Sequence, residues 1–156
     1  MLEKKAEDLL QKCRDNNLKI VTAESCTGGM IAKYLTDIAG SSDVFERGFV
    51  TYSNEAKTEE LGVDAKLIEE HGAVSEEVAK AMAEGALKSS HASISVAVTG
   101  VAGPDSSESK PVGLVYIATT SKASETICKK CEFSGSRDEI RKSTVEAAFA
   151  LIWDSV

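Results

Sequence analysis

Short β-branched runs alternate with stretches of helical periodicity along this chain, and that alternation restricts the fold more than any other sequence feature. "KIVTA" (residues 19–23) predicts a buried strand. After Gly28 and Gly29, a helical stripe follows through Met30, Ile31, Tyr34, Leu35 and Ile38, closed by Gly40. "FERGFVTYS" predicts a second strand, and "NEAKTEELG" and "DAKLIEEHG" two short helices, each stopped by a glycine. Ser75 predicts the cap of a longer helix whose first turn holds Glu76 and Glu77, where negative charge suits the helix dipole. Its core face is Val78, Ala79, Met82, Ala83, Ala86 and Leu87. "ASISVAVTG" is apolar enough to be a central strand covered on both sides. Strands joined through helices build a largely parallel sheet with helices on its faces.

The two ends of the chain modify this scheme. Leu2, Ala6, Leu9, Leu10 and Cys13 place a helix over residues 2–16, ahead of the first strand. "PVGLVYIATT" and "SETICKKCEF" are separated only by "SKA", which predicts an antiparallel hairpin and so a mixed sheet. Ser136 with Glu139 three residues on has capping-box spacing and opens a last helix running to Trp153. The expected fold class is α/β: a three-layer α/β/α sandwich with a mixed five-stranded sheet, residues 1–156 forming one domain.

Charge and cysteine usage exclude several functions. Eighteen basic against twenty-five acidic residues leave a net charge of −7. That field repels nucleic acid and anionic lipid, so neither is an expected partner, and any phosphate site must be a local construction. No window holds eighteen uninterrupted apolar residues, and "MLEKKAEDLLQK" lacks a signal peptide's apolar core, so a cytoplasmic location is expected. "CKKC" (residues 128–131) lies in a predicted strand, where residues three apart face opposite sides. His71 and His91 lie in unrelated segments, so no metal and no cofactor is expected.

In sheets of this class ligands bind beyond the carboxyl ends of strands, where loops lead into helix N-termini. "TAESCTGG", "VTYSNEAK" and "AVTGVAGP" occupy such positions. In the first, Ser25 precedes a helix whose free N–H groups would stabilise a phosphate or an oxyanion, and Gly28 and Gly29 permit close backbone approach. A plain N-cap at Ser25 or Thr27, with the glycines as a turn, is the alternative. The second offers Tyr52 and Lys57 with no histidine nearby. A serine without a histidine needs another base, and a lysine neutralised by burial and a neighbouring arginine can serve. The competing reading is an exposed lysine on an amphipathic helix. The third loop would wall the pocket with Thr99 and Gly100, and "KPVG" would bring Lys110 to its rim. Arg137 and Arg141 sit one helical turn apart near a helix N-terminus, against the dipole. They point to an anionic ligand, or to pairing with Asp138 or Glu24.

"VTAESCTGGMIAKYLT", "GSSDVFERGFVTYSNEAKTEELGV", "HGAVSEEVAKAMAEGA", "AVTGVAGP" and "KPVGLVYIA" together resemble, in order, the CinA C-terminal domain family, the PncC-type nicotinamide mononucleotide deamidases. In that family the domain stands alone or follows a molybdopterin-binding-like domain, and a stand-alone form is expected here. The resemblance implies a hydrolase that turns nicotinamide mononucleotide and water into nicotinate mononucleotide and ammonia, by a metal-free Ser/Lys mechanism. It makes Ser25 the nucleophile, Lys57 the general base, and Tyr52 an aid to proton transfer or orientation. It makes the amides from Thr27 through Gly28 to Gly29 candidates for an oxyanion hole or phosphate contacts. Thr99 and Gly100 would meet the substrate, and Arg137 and Arg141 match basic positions of the family's last helix. "GPDSSESKPVG" departs from the more glycine-rich loop usual there, which bears on substrate access. A homo-oligomer, dimer or larger, is expected. Two other functions fit the same residues: a non-catalytic nucleotide-binding or regulatory module, and a Ser/Lys amidase acting on another amide.

Overall fold

Five strands form one mixed sheet in the computed structural model, which describes all 156 residues. In chain order the elements are α1 (Leu2–Asp15), β1 (Ile20–Glu24), α2 (Met30–Thr36), a 3₁₀ turn (Ser41–Asp43), β2 (Phe45–Val50) and α3 (Asn54–Leu61). They continue with α4 (Ala65–His71), α5 (Glu76–Lys88), β3 (Ile94–Gly100), β4 (Leu114–Ser121), β5 (Ser124–Glu132) and α6 (Arg137–Ser155). The strand order is β2-β1-β3-β4-β5. β1 pairs in parallel with β2 and β3, while β4 runs antiparallel to β3 and β5. The carboxyl ends of β1, β2 and β3 therefore meet at one edge of the sheet, which is where a ligand site is expected.

Period-two alternation divides the side chains of the strands between two cores. Ile20, Val96, Val98, Val115 and Ile117 face α1, α2 and α6, packing with Leu9, Leu35, Phe149 and Ile152. Val21, Ala23, Ala97 and Ala118 face the other way, against Leu61 of α3 and Val78, Met82, Ala83 and Ala86 of α5. Each large aliphatic side chain buried in this way contributes roughly 1.5–3 kcal/mol. The second core is built of small residues, so its helices lie close. A Cβ on Gly85 would come within 1.9 Å of the Leu61 carbonyl oxygen. That approach seats the last turn of α3 directly on α5, and with it the face carrying Lys57 one turn earlier. Cys131 belongs to the first core and Cys128 packs against the second, so the strand spacing separates them as predicted.

The capping signals at Ser75 and Ser136 form as expected. The Ser136 hydroxyl accepts from Glu139 N at 3.2 Å and the Glu139 carboxylate accepts from Ser136 N at 2.9 Å, completing the capping box. β2 stops at Val50, so Thr51–Ser53 of the expected strand instead turn into α3. Ser53 caps that helix by accepting from Ala56 N at 3.0 Å. The hairpin turn is Lys122–Ala123, and β4 and β5 pair antiparallel on either side of it. No helix is long and apolar enough to cross a membrane.

Candidate active site

Ser25 follows the last residue of β1, and its own N–H donates to Val98 O of β3 at 3.1 Å, extending the ladder by one step. Lys57 lies on the first turns of α3 and shares its inward face with Leu61, four residues on. The lysine is only 1% exposed and Ser25 8%. Lys57 Nζ donates to Ser25 Oγ at 3.1 Å and to Thr51 O at 3.1 Å, with Tyr52 O at 3.4 Å and Ser53 O at 3.5 Å. No carboxylate touches it. Burial holds the Lys57 amine below its ordinary value of 10.5, against the opposing pull of Cys26, Glu108 and Glu55. Burial also pushes the Cys26 thiol up to about 12. It stays protonated at neutral pH and so adds no negative charge there. The expected help from an arginine is absent: desolvation alone depresses Lys57.

Ser25, Cys26, Tyr52, Lys57, Thr99 and Gly100 line a cavity of about 330 Å³, with Arg137 at its side. A larger groove of about 530 Å³ runs between α1 and α6, but its lysine, Lys5, is paired with Glu146 at 2.6 Å and faces no nucleophile. Chemistry, not size, selects the smaller cavity. Arg137 Nη1 donates to Gly103 O at 2.6 Å and Nη2 to the Tyr52 hydroxyl at 3.1 Å. The Tyr52 phenol thus stands at the mouth beside the arginine, and only the Tyr52 carbonyl faces Lys57. The Thr99 hydroxyl donates to Ala73 O at 2.9 Å, holding the α4–α5 turn as the opposite wall.

Thr27, Gly28, Gly29 and Arg141 do not line the cavity. The two glycines serve the turn itself: Gly28 has φ +57° and Gly29 φ +106°, conformations that disfavour a side chain. Neither Ser25 nor Thr27 caps α2, whose N-cap is Gly29. Glu24 takes that role from inside the fold. It is fully buried, with Oε1 accepting from the Thr27 hydroxyl at 2.6 Å and Ile31 N at 2.9 Å, and Oε2 from Ala32 N at 3.0 Å. The helix N-terminus is therefore already filled by the chain's own carboxylate. Arg141 donates Nε to Cys26 O at 3.2 Å and Nη2 to Thr27 O at 2.9 Å. Pairing of either arginine with Asp138 or Glu24 does not occur, and Lys142 takes Asp138 at 2.9 Å.

The acidic loop also differs from expectation. Lys110 does not reach the cavity rim but donates to His71 O at 3.0 Å and to Val74 O. Glu108 accepts from Ala73 N at 2.8 Å and Val74 N at 3.0 Å. Residues 105–110 are thereby strapped onto the α4–α5 turn, and Asp105, Ser107 and Glu108 become part of the cavity wall. Glu24 and Glu108 carry no motif that announces these roles. Both act on backbone amides, which leave no mark in a sequence.

Likeness to known proteins places the chain in a family. Residues 2–156 match the model of the CinA C-terminal domain. The chain belongs to that family. It is 48% identical over 149 residues to the nicotinamide-nucleotide amidohydrolase PncC of Escherichia coli strain K12, covering 95% of this chain and 90% of that one. A CinA-like protein of Geobacter sulfurreducens is 52% identical over 141 residues, which are 90% of this chain and 33% of that longer one. The crystal structure of the competence/damage inducible protein CihA from Agrobacterium tumefaciens superposes with a TM-score of 0.95 at 44% identity, over 98% of this chain and 94% of that one. That of an Escherichia coli CinA superfamily protein gives 0.96 at 32% identity, over 100% and 91%. The mixed five-stranded sheet with helices on both sides is thus the fold of this family's solved structures.

Proposed function

We propose that this chain is a nicotinamide-nucleotide amidohydrolase, converting nicotinamide mononucleotide and water to nicotinate mononucleotide and ammonia through Ser25 and Lys57. The observation that carries the mechanism is the 3.1 Å contact between Lys57 Nζ and Ser25 Oγ inside a buried cavity, with backbone carbonyls as the amine's only other partners. The likeness to PncC over nearly the full length of both chains supports the substrate.

A neutral amine has two N–H groups and one lone pair. With the N–H groups on the Thr51 and Tyr52 carbonyls, the lone pair faces Ser25, and the hydroxyl then donates to it. Ser25 Oγ attacks the carboxamide carbon as its proton passes to Lys57. Collapse of the tetrahedral adduct breaks the C–N bond, and the Lys57 ammonium returns the proton to the departing ammonia. Water then attacks the Ser25 ester, giving its proton to Lys57, and the carboxylate product leaves as Ser25 is reprotonated. Arg137 is the cation at the mouth and is assigned the substrate phosphate. Tyr52 steadies Arg137 through its phenol.

Residues 1–156 act as one amidohydrolase domain, working as a homo-oligomer in the cytoplasm. Four unpaired cysteines suit that reducing compartment. Light scattering on the purified protein tests the oligomer. Ammonia release tests the activity: it is expected with nicotinamide mononucleotide and absent with free nicotinamide, which lacks both the ribose and the phosphate. Tight binding of the nucleotide without release of ammonia would make this a binding module instead.

A further inference from the structure

Arg141 reaches the nucleophile loop from behind. It is half-buried on α6, away from the cavity, and its guanidinium holds two consecutive carbonyls, those of Cys26 and Thr27. A trans peptide is planar, with its N–H pointing opposite its C=O. Holding the Cys26 carbonyl toward α6 therefore turns the Thr27 N–H to the far side, away from Arg141.

That N–H has no acceptor within the chain, and the Cys26 N–H has none but its own thiol sulfur. Of the amides that follow, those of Gly28, Met30, Ile31 and Ala32 are engaged. Ser25 O accepts from Gly28 N at 3.0 Å, and Glu24 takes Ile31 N and Ala32 N. Cys26 is 6% exposed and Thr27 fully buried, and backbone N–H groups in such places are almost always paired. Cys26 borders the cavity next to Ser25, and an amide held there on a fixed loop is what a developing oxyanion requires.

We propose that Arg141 is a positioning residue: by clamping the Cys26 and Thr27 carbonyls against α6, it fixes the loop on which the Cys26 amide, the one that borders the cavity, meets the oxyanion formed at Ser25. Glu24 steadies the same loop from the other side through the Thr27 hydroxyl and the start of α2. Arg137 keeps the phosphate, and Arg141 touches no part of the substrate. The inference rests on the amidohydrolase reading above.

The experiment separates a clamp from a phosphate ligand. Arg141→Ala and Arg141→Lys are assayed with nicotinamide mononucleotide and with nicotinamide riboside, which has the same amide and no phosphate. For Arg141→Ala, kcat is expected to fall about 10²-fold on both substrates with KM within about twofold of wild type. Arg141→Lys is expected to recover part of it, since an ammonium still reaches one carbonyl. A raised KM with kcat intact, or a loss confined to the phosphorylated substrate, would overturn the proposal. Thermal melting shows whether the alanine variant is folded at the assay temperature, and the lysine variant carries the test if it is not.

A second readout does not depend on the amide substrate. A fluorophosphonate forms a bond from Ser25 Oγ to phosphorus and expels fluoride, with the serine proton passing to Lys57, and its phosphoryl oxygen meets the same Cys26 amide. Ser25 labelling, followed by intact-protein mass, is expected to slow by a similar factor in Arg141→Ala. Equal labelling rates would overturn the clamp even where wild-type protein releases no ammonia from the nucleotide, an outcome that by itself overturns only the amidohydrolase reading.

Discussion

Lys57→Arg is the sharpest perturbation of the proposed mechanism. An ordinary lysine titrates at 10.5, so at pH 7 only about 0.03% of it is neutral, a handicap of about 3.5 decades or roughly 4.8 kcal/mol for any base that must first lose its proton. Burial reduces that handicap tenfold for each unit by which it lowers the lysine, and Lys57 is 1% exposed with no carboxylate in contact. An arginine keeps its proton and has no acceptor, whatever the burial. The substitution preserves positive charge and removes the base, so kcat is expected to fall by about 10²–10⁴, or roughly 2.7–5.4 kcal/mol of transition-state stabilisation. Lys57→Met should lose as much, while calorimetry should find substrate affinity nearly unchanged in both. In wild type, kcat/KM should rise with pH through the lysine's titration, since the protonated form is inactive, and that ascending limb should lie below 10.5. The same shift makes folding stability rise with pH between the lowered value and 10.5, because the unfolded chain holds the extra proton there, and Lys57→Met should lack that slope. If Lys57→Arg retains near-normal kcat, the lysine is merely a charge that holds the substrate and the base lies elsewhere.

Ser25→Ala should abolish ammonia release, whereas Cys26→Ala should keep most of it, because a thiol pushed up to about 12 supplies no thiolate at neutral pH; the opposite pattern in a steady-state assay would reassign the nucleophile. Exhaustive chelation should leave turnover intact, since serine and lysine furnish both nucleophile and base; loss of activity with EDTA and its return with zinc or manganese would replace this mechanism with a metal-assisted one. Glu24→Ala leaves two helix amides and the Thr27 hydroxyl without their acceptor. It should cost about 2–4 kcal/mol and lower Tm by roughly 5–15 °C in differential scanning calorimetry. A melting point within about 2 °C of wild type would mean that water replaces the carboxylate and that Glu24 is not the cap of α2.

Much of this molecule is written in local pattern. The alternation of β-branched runs and helical stripes, the caps at Ser75 and Ser136 and the short hairpin linker each involve residues a few positions apart. Their periodicities of 2 and 3.6 survive as readable spacing. Ser25 and Lys57 were legible as candidates, the one in a small-residue loop after a predicted strand and the other at the start of a predicted helix, and the family resemblance gave them their roles. What the side chains do there depends on contacts between distant positions. Lys57 meets Ser25 across 32 residues, and Arg141 meets Cys26 across 115. Only the packed fold decides that Lys57 lies inward against α5 and loses its hydration, that Arg137 faces the cavity while Arg141 turns behind it, and that Tyr52 offers its carbonyl to the base and its phenol to Arg137. Protonation and hydrogen bonding follow from desolvation and from which backbone groups a side chain finds nearby, and both are properties of the assembled tertiary structure rather than of any local stretch of chain.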